Sequence, residues 1–180
     1  LIRYPQASQR VLYTIPHGVN TIWSCSFSYV TSMEMMIIPS TVNVLYGYSC
    51  KRMKNLKTII YASSTTQSDI NVFSEANAIE RIVVGHGYSG NTLCGKPITK
   101  SDIQCGENVY CIVDENSGYL YMYGSGETYS YASDDIKILD PYKDLIKTII
   151  MEEGIETINK LFFKGYAKIE SFKLPKGLLL

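Results

Sequence analysis

Residues 13–22 read YTIPHGVNTI, residues 37–45 read IIPSTVNVL, and residues 173–178 read KLPKGL. In each, an apolar residue precedes proline, and Val or Leu follows three residues after it. Pro16 and Pro39 stand 23 residues apart. Proline fixes φ and has no N–H to donate, so it interrupts a hydrogen-bonded ladder. A proline that returns at a fixed interval marks a recurring structural event, and intervals of this size signal stacked repeats. Stepping by 23 from Ile15 reaches Ile38, Tyr61 and Val84; after a gap, the same phase runs through Met151 and Leu174. Further columns keep the step. One holds Val19, Val42, Thr65, Ile155 and Leu178; another holds Ile22, Leu45, Ser68 and Ile158. Phe27, Cys50, Phe73 and Phe163 form a third. Before the anchor come Met36, Ile59, Ile82, Ile149 and Phe172, and earlier still Met33, Leu56, Ile79, Ile146 and Ile169.

Several columns sharing one period predict a β-rich solenoid of 23-residue coils. MEMMII (33–38), LKTIIY (56–61), IERIVV (79–84), IKTIIM (146–151) and IESFKL (169–174) share an apolar-x-x-apolar-x-apolar pattern. Its end alternates with period two, as a short strand with one buried face does. This is the leucine-rich-repeat strand pattern. A single coil cannot bury its own apolar side and needs a neighbour. Each large side chain so covered contributes about 1.5–3 kcal/mol. Proline fits at the strand's end, where no ladder donor is required. A second short strand is expected at the V-x-x-I positions and a tight helical turn at the Phe column. Long helices are not expected.

The chain is 180 residues long and 46% apolar, enough for a sizeable core. Its 17 Lys and Arg balance 17 Asp and Glu, so no charge draws it to nucleic acid or an anionic membrane. No apolar run is long enough to span a bilayer, and no signal peptide is visible. Starting at Leu1 rather than Met and stopping in LLL, it reads as a fragment of a longer protein. Fifteen tyrosines favour adaptable binding surfaces. Of 5 cysteines, Cys50 shares the Phe column and is expected as a buried thiol. A Cys94–Cys105 or Cys105–Cys111 disulfide fits a secreted protein, and spacing leaves both open.

Three parts are expected: coils over 1–92, a loop and β-hairpin module over 93–145, and the start of a second array over 146–180. Residues 1–12 read as a lead-in. The third coil is degenerate, with Thr65 and Ser68 in apolar columns, as suits the end of an array. Residues 85–104 are rich in Gly, Ser and Thr and read as a loop. NVYCIV and YLYMY, separated by DENSG, predict the hairpin. Val84 and Met151 lie 67 residues apart, two short of three periods, so the middle is an insert.

TIPHGVNTIWSCSF, TIIYASSTTQSDINVF and MEEGIETINKLFF resemble the BspA-like leucine-rich repeats, whose coils carry an I-P-x-x-V-x-x-I-G-x-x-A-F core. Residues 105–158 resemble the hairpin segment that precedes a fresh array in that family. The resemblance covers nearly the whole chain except about residues 85–104. The chain departs from the pattern at the glycine, replaced by Trp23, Tyr46 and Asn159, and at the alanine, replaced by Ser26, Ser49 and Phe162. The resemblance implies a right-handed leucine-rich-repeat solenoid. It also implies a surface protein of the kind found on anaerobic bacteria and mucosal parasitic protists, with a role in adhesion or host interaction. A fold alone does not name the ligand.

Other chemistries are weaker. GHGYSG (85–90) matches G-x-G-x-x-G, but NTLCGKPI after it is a poor helix to hold a pyrophosphate. His86 with Cys94, Cys105 and Cys111 lacks the paired spacing of a zinc site. DENSG is too short for a calcium loop, and Asp134, Asp135 and Asp140 read as a solvated loop. Neither of the 2 histidines has a nucleophile context. The expectation is therefore no enzyme, no metal and no cofactor. Two ligand-binding surfaces are expected instead. One is the outward face of the concave sheet: Thr14, Ile37, Ile60, Val83, Ile150 and Lys173, flanked by Leu12, Met35, Thr58, Arg81, Thr148 and Ser171. The other is the tyrosine face Tyr119, Tyr121 and Tyr123, opposite Leu120 and Met122, with Tyr129 and Tyr131 continuing the spacing. It reads either as a binding platform or as a lid over the second array. The expected partner is a host or matrix protein, with a glycan as a further possibility. The alternatives are a glycan-binding or enzymatic module in 85–140 and an intracellular interaction scaffold.

Overall fold

The prolines stand where strands end. In the computed structural model, which describes residues 3–133 and 135–179, Pro16 follows a strand and its carbonyl accepts the Val19 N–H at 3.2 Å. Pro39 does the same for Val42 at 3.1 Å. Each proline thus opens a turn that carries the chain off the sheet. Asp134, assigned above to a solvated loop, lies outside the described residues, as do Leu1, Ile2 and Leu180.

The chain forms two units, Leu1–Lys100 and Ser101–Leu180. The first holds β1 (Leu12–Thr14), β2 (Thr21–Ile22), β3 (Met35–Ile38), β4 (Val44–Leu45), β5 (Thr58–Tyr61), β6 (Arg81–Val84), β7 (Thr92–Leu93), β8 (Lys96–Pro97) and β9 (Thr99–Lys100). Strands β1, β3, β5, β6 and β9 lie side by side in one sheet. The pairing of β1, β3, β5 and β6 is parallel: Leu12 faces Met35, Met35 faces Thr58, and Thr58 faces Arg81. Like positions therefore lie over like. Ile15, Ile38, Tyr61 and Val84 have no exposed surface, nor have Met33, Leu56, Met36 and Ile59. Behind this sheet β2 and β4 pair in parallel, Ile22 against Leu45, both buried.

The turn at the Phe column repeats as well. Phe27, Cys50 and Phe73 are buried. Around them, residues of left-handed backbone recur: Cys25 and Tyr48 (both φ 62°), then Tyr29 (66°), Arg52 (57°) and Glu75 (59°). A non-glycine residue there costs about 1–2 kcal/mol. The return is a hydrogen bond to the next coil. Cys25 donates to the Tyr48 carbonyl and Tyr48 to that of Asn71; Tyr29 donates to Lys51 and Arg52 to Ser74.

The degenerate third coil has no partner strand for β4. The Gln67 side chain substitutes for one. Its Oε1 accepts the Leu45 N–H at 3.1 Å, and its Nε2 donates to the Asn43 carbonyl at 2.9 Å. One amide thus supplies the donor and acceptor of a strand residue. Residues 85–104, expected as a loop, are largely folded. Tyr88, Leu93 and Cys94 are buried in the first core, β7 and β8 form a small hairpin, and β9 joins β6. Apolar columns at an array end must be covered, and these residues cover them.

The second unit holds β10 (Ile103–Gln104), β11 (Val109–Asp114), β12 (Tyr119–Gly124), β13 (Gly126–Glu127), a one-turn 3₁₀ helix at Asp140–Tyr142, β14 (Thr148–Met151), β15 (Ile155–Thr157) and β16 (Ser171–Lys173). The expected hairpin is β11–β12, closed by an Asp114 carboxylate that accepts from Ser117 and by Gly118 at φ 74°. The hairpin is continuous with the repeat sheet: β12 pairs in parallel with β14, and β14 with β16. Phe162 is buried, while Phe163, the expected column member, is half-buried against the same core. Phe172 and Leu174, also expected inside, are exposed because β16 is the edge of its sheet among the described residues.

Phe73→Ala should lower stability by about 3–5 kcal/mol, and Leu174→Ala by no more than about 0.5 kcal/mol; chemical denaturation compares the two. Gly124 has φ 110°, and a Cβ there would come within 2.0 Å of the Asn108 carbonyl oxygen. Gly124→Ala should therefore cost well over about 1 kcal/mol, read from the same curves.

Candidate interaction surfaces

The outward rows of the two sheets are the natural place to look for a ligand. The sequence reading made them open; the structure closes most of them. Ile37, Ile60 and Val83 have no exposed surface, Ile150 has 3% and Met35 has 6%. Thr14, Thr58 and Arg81 are half-buried, and only Lys173 and Ser171 on the edge strand are exposed. The physical reason was in the composition. MMII, TIIY and RIVV are continuous apolar runs, not alternations, and such runs belong to strands covered on both faces.

The tyrosine face differs in the same way. Leu120 and Met122 enter the second core, so Tyr119, Tyr121 and Tyr123 do share the opposite face. Tyr121 and Tyr123 are nonetheless buried, stacked with ring centroids 6.0 Å apart, and Tyr119 is half-buried. In the parallel register Tyr119 meets Thr148 and Tyr121 meets Ile150. Within this unit, the two surfaces read separately from the sequence are therefore one. Tyr121 donates to Glu152 Oε1 at 2.7 Å, and both side chains are buried. Burial first, then the neighbouring carboxylate, pushes the Tyr121 phenol well above its ordinary range, so it remains a neutral donor. Tyr129 and Tyr131, which continue the spacing, line an open groove of about 410 Å³ with Ile136, Lys137, Ile138 and Pro141.

The cysteines divide into three kinds. Cys105 and Cys111 are joined, and both are buried. Cys50 and Cys94 are free thiols in the first core, and burial pushes each up to about 12. Cys25 is free and exposed. Among the described residues no cluster of His, Cys, Asp and Glu is placed to hold a metal ion. GHGYSG leads from β6 to β7 with no helix between them. Among the described residues, no helix is long and apolar enough to cross a membrane.

One surface escaped the sequence reading. Trp23 and Tyr46 sit in the column where the repeat pattern calls for glycine. Their rings stack with centroids 4.7 Å apart and planes 5° from parallel. Trp23, Tyr29, Tyr46 and Tyr48 are all exposed. The signal was present in the sequence: large aromatics replace glycine 23 residues apart, where adjacent coils must bring them together.

A model of the BspA type leucine rich repeat region matches residues 9–92 and 142–179 in 6 copies. This chain belongs to that family. The match takes in β1 to β6 of the first unit and β14 to β16 of the second, and leaves out the β11–β12 hairpin. No curated protein and no solved structure matches the chain. BspA-type repeats are generally non-enzymatic scaffolds, typically surface-associated, and leucine-rich repeats serve protein interaction.

Thiol labelling of the native BspA-type protein should modify Cys25 alone; Cys50 and Cys94 should react only after unfolding, and Cys105 and Cys111 only after reduction, as read by mass spectrometry. Tyr121→Phe should cost about 1–3 kcal/mol by withdrawing a donor from a buried carboxylate, measured by thermal or chemical melts.

Proposed function

We propose that this chain is a non-enzymatic, cell-surface or extracellular adhesion protein that holds a host or matrix protein through its repeat sheet. The coils form a right-handed solenoid with a 23-residue repeat; the parallel registers support the period, and the strong preference for right-handed parallel crossovers supports the hand. The order is a first array over 1–92, a loop and β-hairpin module over 93–145, whose residues up to Lys100 close the first unit, and the start of a second array over 146–180. The observation that carries the functional reading is the family match over residues 9–92 and 142–179. The buried Cys105–Cys111 disulfide supports an oxidising compartment and weighs against the intracellular scaffold.

On the expected ligand-binding rows, the buried members Met35, Ile37, Ile60, Val83, Tyr121 and Tyr123 hold the sheet in place. Thr58, Arg81 and Tyr119 keep access to solvent and would meet the partner. No cofactor, metal or nucleic acid enters this reading. The test is a solid-phase binding assay of the intact chain against matrix proteins such as fibronectin, collagen and laminin. At least one should be retained, and Arg81→Glu should weaken it about tenfold or more, the loss typical of one central contact. No retained protein, or a retained protein indifferent to both Arg81→Glu and Thr58→Arg, would count against the proposal.

A further inference from the structure

The stacked pair Trp23–Tyr46 is unusual in what it leaves uncovered. One indole face lies on the tyrosine ring at 4.7 Å, yet Trp23 is 51% exposed. Half of an indole cannot be exposed with one face covered unless the second face and rim meet solvent. The stack therefore presents a flat aromatic ledge. Asp69 is the third member of the same 23-residue column. Its Oδ1 accepts from the Asn71 backbone N–H at 2.9 Å and from the Asn71 amide at 3.0 Å. Its Oδ2 lies beside Gly47, within 2.6 Å of where a Cβ would be. Gly47 thus makes room for a carboxylate next to the aromatic pair. The ensemble is one open π face, a phenol, a carboxylate and a side-chain amide.

These groups suit a ligand with an apolar C–H face and a rim of hydroxyls. The face of an aromatic ring is electron-rich and attracts polarised C–H bonds. The carboxylate and amide supply acceptors and donors for hydroxyl groups. A cation would also favour an indole face, but this part of the surface already holds cations of its own. Arg52 lies over Tyr29 at 5.3 Å and Lys51 over Tyr48 at 5.4 Å, and both pair with Glu75. Those cations are paired with Glu75, so the selection of a sugar rests on the hydroxyl-matching Asp69 and Asn71 beside the π face, and choline is the competing probe. We propose that Trp23, Tyr46 and Asp69 form a subsite for a neutral pyranose residue of a glycan. The site does not depend on the protein-binding rows, and failure of either leaves the other standing.

Trp23 is the sole tryptophan, so emission excited on the long-wavelength side of tyrosine absorption reports this site alone. The intact chain is titrated with lactose, maltotriose, mannotriose and chitotriose, with choline chloride as the cationic probe. At least one sugar should shift or quench the Trp23 emission saturably, with a dissociation constant on the order of 1 mM. Tyr46→Ala should weaken that response about tenfold, close to 1.4 kcal/mol, and Asp69→Asn should weaken it severalfold. Tyr46→Leu, which keeps the bulk and removes the π face, guards against an effect on folding, and circular dichroism confirms the fold of each variant. The proposal is overturned by a flat response to every sugar, by a response unchanged in Tyr46→Leu and Asp69→Asn, or by saturation with choline alone.

Discussion

The constraint on which the rest depends is the parallel register. Met35 lies opposite Thr58 and Thr58 opposite Arg81, so each residue meets its counterpart one repeat on. Nothing else forces Ile15, Ile38, Tyr61 and Val84 into one buried file. A slip of one residue would turn every strand over and bring Ile37 and Ile60 to the side of Ile38 and Tyr61. The turns of the first two coils obey the same rule, because their left-handed N–H groups bond to carbonyls of the next coil. Sheet, second strand and turn are three expressions of one spacing.

Much of this was legible from residue identity alone. The 23-residue columns located the inward positions of the parallel coils, among them Ile15, Met36, Ile38, Ile59 and Ile149, and DENSG located the hairpin turn. The failures have specific causes. Phe172 and Leu174 fit their columns but lie on and just after the edge strand β16, and a column gives no protection without a neighbour. Residues 85–104 had loop composition, yet Tyr88, Leu93 and Cys94 were enough to close the first core. Gln67 in a polar stretch gave no hint that its amide would act as backbone, since that role depends on Leu45 and Asn43 being at hand.

The candidate sites were less legible than the fold. Apolar residues at Ile37, Ile60 and Val83 form an open stripe only if their strands alternate, since a strand of alternating pattern has one wet face. These strands do not alternate, and their other face is buried too. The tyrosines of β12 were placed on the correct face, but side-chain periodicity carries no information about what covers that face. Conversely, Trp23 and Tyr46 were noticed only as departures from a glycine column. Their meaning required the knowledge that neighbouring coils place such residues at stacking distance.

The left-handed turn positions have a broader consequence. Cysteine, tyrosine, arginine and glutamate all occupy them, with glycine at Gly165. At Cys25, Tyr29, Tyr48 and Arg52 the backbone is fixed by hydrogen bonding between coils, which leaves the side chain free to vary. What results is a ruler, its graduations about 4.8 Å apart, on which each mark can be relettered without disturbing the interior. Letters on such a ruler must first agree with their neighbours, as Tyr29 does with Arg52 and Arg52 with Glu75. A new specificity on this scaffold would therefore be written in adjacent pairs rather than in single substitutions.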